Sequence, residues 1–301
     1  KNIKEEHMIL IPITYHSKKY PESVISNIDE IAGNFDKVNI SPTRSYSLHT
    51  EYSHMKRKLD NPLINKYPTL KKSHKENIPQ LWKDEFWAEE FADYLIELIG
   101  DNIAPEVIEI HPPFSDYCFD FCTFFSRYII FEKKILKKYP EVKIFIENRC
   151  GTFYKGGKFI ISNCKSVVNF LNELRQRNLR LKLVLDYPQL FSAESIKMDN
   201  INLNKILNFN FHINEYIDYI GGFHLWGKRK SEKGRWTPHT GDLNTFFSND
   251  ELLKSKFVFS ITKTFNDDKP RYFVPEVNSS EKDLQSIVCD LLKFDVVFSK
   301  K

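Results

Sequence analysis

The sequence predicts an α/β fold: a single (β/α)8 TIM barrel over residues 1–301, with a long elaborated loop at 42–84 after the second strand. Three observations predict it. Short apolar runs alternate with longer stretches of helical periodicity, the pattern of repeated βα units. Several runs are apolar throughout, as parallel strands covered on both faces are. Five of them end in a side chain able to hold a metal ion.

The candidate strands are Met8–Ile13, Lys37–Ser41, Val107–His111, Lys143–Glu147, Leu181–Asp186, Gly221–Leu225, Tyr272–Val277 and Phe294–Phe298. Between them, Trp87, Phe91, Tyr94, Leu95 and Leu98 recur at three- and four-residue spacing and predict a helix. Val167, Val168, Leu171 and Leu174 do the same, as do Leu284, Ile287, Val288, Leu291 and Leu292. Leu253, Phe257 and Ile261 fit a helix stopped near Asn266-Asp267-Asp268 and Pro270, although Phe257–Ile261 also reads as a strand. The 42–84 segment breaks the rhythm, being polar and rich in Lys, His, Tyr and Pro; loops beyond about 15 residues in compact folds are functional or disordered.

Composition agrees. Barrels run to about 200–250 residues as one domain, so 301 residues do not demand a split. The 25 phenylalanines suit a wide interior, and 10 glycines with 14 prolines are too few for a disordered or fibrous chain. A net charge of +4, from 44 basic against 40 acidic residues, does not by itself imply nucleic acid. Five cysteines without a CxxC pair favour neither a disulfide framework nor a thiolate zinc site. Cys118 and Cys122 read as buried free thiols. No apolar run approaches the ~18 residues of a membrane span, and Met8–Ile13 is short for a signal-peptide core, so a cytoplasmic protein is expected.

The chemistry is concentrated at strand ends. Ile144-Phe145-Ile146 runs into Glu147, Leu183-Val184-Leu185 into Asp186, Gly222-Phe223 into His224, and Phe273-Val274-Pro275 into Glu276. Val107–Ile110 runs into His111. The C-terminal strand ends of a barrel carry its active site, so four successive strands would aim three acids and an imidazole at one centre. Clustered acids are costly to bury unless a cation compensates them. The oxygen-rich set suits Mn2+, Co2+, Mg2+ or Zn2+. Any one of these acids alone reads equally well as a helix cap. Their recurrence at one structural point favours a shared metal. His111 alone is as much a structural histidine as a ligand.

These segments resemble the xylose-isomerase-like barrel superfamily, which contains endonuclease IV and sugar or sugar-phosphate isomerases and epimerases. The resemblance rests on Ile110-His111-Pro112-Pro113, Ile146-Glu147-Asn148, Leu185-Asp186, Phe223-His224-Leu225, Pro238-His239-Thr240-Gly241-Asp242 and Pro275-Glu276-Val277, in family order over the last two thirds of the chain. It implies that Glu147, Asp186, His224 and Glu276 hold a divalent metal, and that His111 is similar to a histidine on a second metal of endonuclease IV. The sequence also departs from the endonuclease pattern. Gln189 stands where a histidine is expected, Arg235-Trp236-Thr237-Pro238-His239 lacks an aspartate–x–histidine pair, and only His49 or His54 offers an early-strand histidine. A full trinuclear zinc site is not expected.

Two chemistries fit such a site. In the first, an isomerase or epimerase acts on a sugar or sugar phosphate. Glu147 and Glu276 move the proton through a metal-stabilised enediolate, and His111, Gln189 and His239 orient hydroxyls or hold a second metal. In the second, an endonuclease IV-like phosphodiesterase acts on nucleic acid. Basic residues speak for phosphate: Arg149, Lys155 and Lys158 after Glu147, and Lys228, Arg229, Lys230, Lys233 and Arg235 after His224. So do Lys56, Arg57, Lys58, Lys71 and Lys72 among Tyr46, Tyr52 and Tyr67, although a solvated surface explains loop lysines as well. A barrel that binds a ligand without catalysis is the third class. The complete quartet favours the isomerase.

Overall fold

The computed structural model describes residues 6–52, 57, 59–75, 78–154 and 157–300. Its main sheet is built from Ile9–Thr14 (β1), Ile28–Gly33 (β2), Tyr46–Thr50 (β3), Val107–Ile110 (β4), Lys143–Glu147 (β5), Lys182–Asp186 (β6), Ile220–Leu225 (β7) and Pro270–Pro275 (β8). The strands follow one another in sequence order from β1 to β8, and β8 pairs in parallel with β1, Ile9 opposite Pro270 and Pro12 opposite Phe273. Helices alternate with them, and the fold is a (β/α)8 barrel. The principal helices are Glu85–Ile99 (α1), Phe121–Lys138 (α2), Cys164–Leu174 (α3), Asn204–Ile213 (α4), Glu251–Thr264 (α5) and Glu281–Leu292 (α6).

Local chemistry sets the helix starts. Asp84, Asp120, Asn163, Asp250 and Ser280 each accept a backbone N–H of the first turn, satisfying donors that a helix leaves orphaned. Leu253, Phe257 and Ile261 lie on α5, which decides the helix against the strand.

The chain divides into two compact units, residues 30–183 and residues 1–29 with 184–301. In the first, α1 and α2 build an aromatic core in which Trp82 meets Trp87, Phe91, Phe124, Tyr128 and Phe131 at centroid distances of 5.1–6.1 Å. Trp82 adopts a left-handed backbone (φ 59°), and its indole N–H donates to the carbonyl of His111 at 2.7 Å. In the second unit, Phe191 packs on Phe246, Phe247 and Phe257, and Phe223 lies 4.5 Å from Phe265.

Two expected strands are corrected. Lys37–Ser41 is not a strand: it is a surface connection in which Val38 is 47% exposed and Ile40 is buried. β2 and β3 flank it, and neither reads as an apolar run, because Ile28-Asp29-Glu30-Ile31 and Tyr46-Ser47-Leu48-His49 interleave polar side chains. Phe294–Phe298 supplies only Val297–Phe298, a short strand beside β1 and not the eighth barrel strand. β3 lies within the 42–84 segment, so the elaborated stretch follows the third strand. That stretch contains the helical turn Ile64–Lys66, the helix Pro68–Lys72 and a small pairing of His74–Lys75 with Ile78–Pro79. His54, Lys56, Lys58 and Lys155 lie outside the described residues. Cys118 is buried, whereas Cys122 is exposed. Among the described residues, no helix is long and apolar enough to cross a membrane.

Candidate metal centre

In the unit of residues 30–183, three strands bring four ionisable side chains together. His49 comes from β3, Glu109 from β4, His111 from the residue after β4, and Glu147 from the last position of β5. One ligand atom from each lies within 4.8 Å of the others. Glu109, His111 and Glu147 are buried, and His49 is nearly so. His111 Nε2 is 3.0 Å from Glu147 Oε2, and the His49 and His111 rings lie 4.8 Å apart. His49 Nδ1 is 3.6 Å from Glu109 Oε1.

The surroundings of His111 test whether a cation fits. Its Nδ1 is 3.1 Å from the Glu51 carbonyl oxygen, while Nε2 faces the Glu147 carboxylate. Both neighbours are acceptors. Burial pushes the His111 pKa down to about 4, and the hydrogen bond to Glu147 offsets this only in part. A neutral imidazole has one N–H for these two acceptors. If Nδ1–H donates to Glu51, the Nε2 lone pair meets carboxylate oxygen, and a cation shared by both removes the conflict. The 3.0 Å separation is also what two neighbouring ligands at about 2.1 Å from one ion require at a right angle. Two nitrogens and two carboxylate oxygens thus fit a divalent metal.

Arg149 is part of the same cluster. Its Nη1 donates to both Glu147 oxygens, at 2.9 and 3.1 Å. Its guanidinium lies 5.7 Å from the Tyr52 ring centre and 5.8 Å from that of Phe159. The sequence assigns Arg149 to phosphate; the structure seats it on Glu147. Arg57, read as a loop cation, is buried against Glu51 (2.7 Å) and also lies over Tyr52, at 5.5 Å.

The unit of residues 1–29 and 184–301 carries its own set. Asp186 ends β6 and caps the short helix Tyr187–Ala193, accepting the Gln189 N–H at 2.8 Å. Its other oxygen accepts the Trp226 indole N–H, also at 2.8 Å. His224 lies one residue before the end of β7, with Nδ1 3.3 Å from Glu276 Oε1. Glu276 follows β8 directly. The chain after β7 turns back so tightly that a Cβ on Gly227 would sit 2.3 Å from the Gly241 backbone. That return stacks His239 on Trp226 at 4.0 Å and sets its Nδ1 3.0 Å from the Glu276 carbonyl. Nδ1–H donates there, which makes Nε2 the acceptor nitrogen of the neutral ring. Gln189, expected to orient a hydroxyl or hold a second metal, is buried and gives its backbone N–H to Asp186.

The basic residues after His224 form a hairpin, Lys228–Lys230 paired with Trp236–Pro238. Lys228 donates to Ser192 at 2.7 Å, Arg229 pairs with Asp283 at 3.2 Å, and Lys230 pairs with Asp199 at 2.6 Å. Lys233 and Arg235 are exposed at its far end.

The site residues that sequence reasoning missed are Glu109 and Trp226; it offered His49 only as one alternative and Tyr52 only as a loop aromatic. Glu109 did leave a signal, a charged residue inside the apolar run Val107–Ile110.

No protein-family model matches the sequence, and no curated protein does. Among solved structures, the chain is similar to the crystal structure of a xylose isomerase domain protein from Planctomyces limnophilus, with a TM-score of 0.41 and 9% identity, over 88% of this chain and 95% of that one. A likeness of that size carries no argument about the site, which rests on the residues themselves.

Proposed function

We propose that the protein is a divalent-metal-dependent isomerase or epimerase of a sugar or sugar phosphate, with Glu147, Asp186, His224 and Glu276 as the ligand quartet. One observation carries the reading: each of the four stands at or next to the C-terminal end of its own strand, β5 to β8, and none is more than 6% exposed. That is the end at which barrel enzymes work. A bound divalent ion supplies Lewis-acid polarisation of adjacent substrate oxygens. Glu147 and Glu276 are the acids and bases that remove and return a carbon-bound proton. Asp186, fixed by the Gln189 amide and the Trp226 indole, orients the site. His239 presents Nε2 to a substrate hydroxyl.

A second reading has its own support. His49, Glu109, His111 and Glu147 provide a second donor group that an isomerase with one ion does not need. Those four residues would hold a second divalent ion, whose Lewis acidity would suit phosphoester hydrolysis.

Elemental analysis, followed by two assays, tests both. One ion per chain and solvent deuterium entering a sugar or sugar phosphate support the isomerase. Two ions and cleavage of an oligonucleotide with an abasic site support the hydrolase. A chain that holds no metal and gains no thermal stability from Mn2+, Co2+, Mg2+ or Zn2+ refutes both.

A further inference from the structure

Arg149 and a metal ion would make opposite demands on Glu147. The guanidinium spans both carboxylate oxygens from one nitrogen, at 2.9 and 3.1 Å, and it matches the carboxylate charge within the protein itself. Glu147 is fully buried and Arg149 is nearly so. A buried acid stripped of a countercharge is strongly destabilised, so a cation belongs beside this carboxylate. The guanidinium also has a second berth. It lies within 6 Å of the Tyr52 and Phe159 rings, whose faces attract a cation without any carboxylate. Arg57 lies over the same Tyr52 ring, so two guanidiniums converge on one aromatic beside the His49–His111 pair.

We propose that Arg149 is a resident countercation, which a divalent ion displaces from Glu147 and which thereby becomes the binding group for a phosphate of the substrate. The proposal rests on the metal reading of Glu147 given above and adds an order of events: ion first, anion second. Released from Glu147, the guanidinium keeps its aromatic support and offers a planar fork of donors, the geometry that phosphate oxygens match. Metal and phosphate then bind with positive coupling, and by linkage each strengthens the other equally.

The test is a calorimetric titration of the full chain with Mn2+, with and without saturating inorganic phosphate. For the wild type, phosphate should tighten Mn2+ binding about tenfold, within the usual range of coupling between sites. Arg149→Met, which keeps the aliphatic stem, should bind Mn2+ about tenfold more tightly than wild type without phosphate and lose most of the phosphate effect. Arg149→Lys should stay close to wild type in metal affinity, because it retains the competing charge. Equal or weaker Mn2+ binding by Arg149→Met overturns the exchange and leaves the metal reading intact. If that variant does not fold, the wild-type titration alone decides: no tightening by phosphate overturns it. No Mn2+ binding by any of the three proteins refutes the metal reading itself. A hexose phosphate and a dinucleotide, each tried as competitor of bound phosphate, separate the two sources of the group. Displacement by either supports the anion site, and displacement by neither overturns it.

Discussion

Glu147, at the end of β5, and Asp186, at the end of β6, are buried acids held by different means. Glu147 is met by a charged donor, Arg149, and by the His111 imidazole. Asp186 is met by neutral donors, the Gln189 amide and the Trp226 indole. Neutral donors orient a carboxylate and favour its ionised form without cancelling its charge. A guanidinium cancels it. The first arrangement is a carboxylate that a cation must win from a competitor, and the second is a carboxylate prepared for a cation. The histidines differ in the same way. His111 is wedged between two acceptors, whereas His239 is anchored by a single carbonyl-facing nitrogen and a stacked indole.

The largest effect should come from removing charge on either side. Glu147→Gln and Glu276→Gln are each expected to lower turnover by about 10²–10⁴-fold, the usual contribution of a positioned acid or base, while circular dichroism stays that of the folded protein. The pair tests whether the two regions serve one reaction. Turnover within a few-fold of wild type in one variant but not the other would confine the chemistry to a single region.

An effect of intermediate size sharpens the contrast by its sign. Trp226→Phe keeps the ring and deletes the N–H that Asp186 accepts at 2.8 Å. Groups that orient a ligand typically cost 10–100-fold in metal affinity when removed, so Mn2+ binding should weaken by about that factor. Deleting the partner of Glu147 is expected to do the reverse. Should both substitutions shift the Mn2+ dissociation constant in the same direction, the distinction between a prepared and a contested carboxylate falls.

How far this was legible in the sequence follows from the same chemistry. β5 to β8 announce themselves, since Ile144-Phe145-Ile146-Glu147 and its counterparts are apolar until an ionisable residue at or beside the strand end. β2 and β3 do not. Glu30 and His49 fall inside their strands, so an apolar-run criterion passes over them and settles on Lys37–Ser41, whose Val38 faces solvent. Glu109 was hidden for the related reason that a single charge inside a strand looks like an error in the pattern rather than a ligand. What no spacing could supply is partnership. Arg149, Lys228 and Arg229 all read as cations for phosphate, and their contacts to Glu147, Ser192 and Asp283 are fixed by side-chain packing that the sequence does not display.

The smallest effect comes from an acid–arginine pair at the N-terminal end of β8, the opposite end from Glu276. Asp267 precedes β8 and takes a two-pronged guanidinium contact from Arg271, at 2.7 and 2.8 Å. Burial raises the Asp267 pKa, but the hydrogen bonds and charge of Arg271 outweigh it and the net shift is downward. A depressed carboxyl contributes stability that is present above its unfolded pKa, about 3.9, and is lost as pH falls through the folded value. Asp267→Asn should therefore lower the urea midpoint at pH 7, with the gap to wild type closing as the pH drops below about 4. Mn2+ affinity should not move. Partial exposure keeps the stability change small, since solvent screens such pairs. Parallel curves down to pH 3 would mean that Asp267 gains nothing from being ionised in the fold. A change in metal affinity would mean that arginine pairing at this end of β8 reaches the strand ends after all, and Arg149 would no longer be distinguished from Arg271 by the ion it yields to.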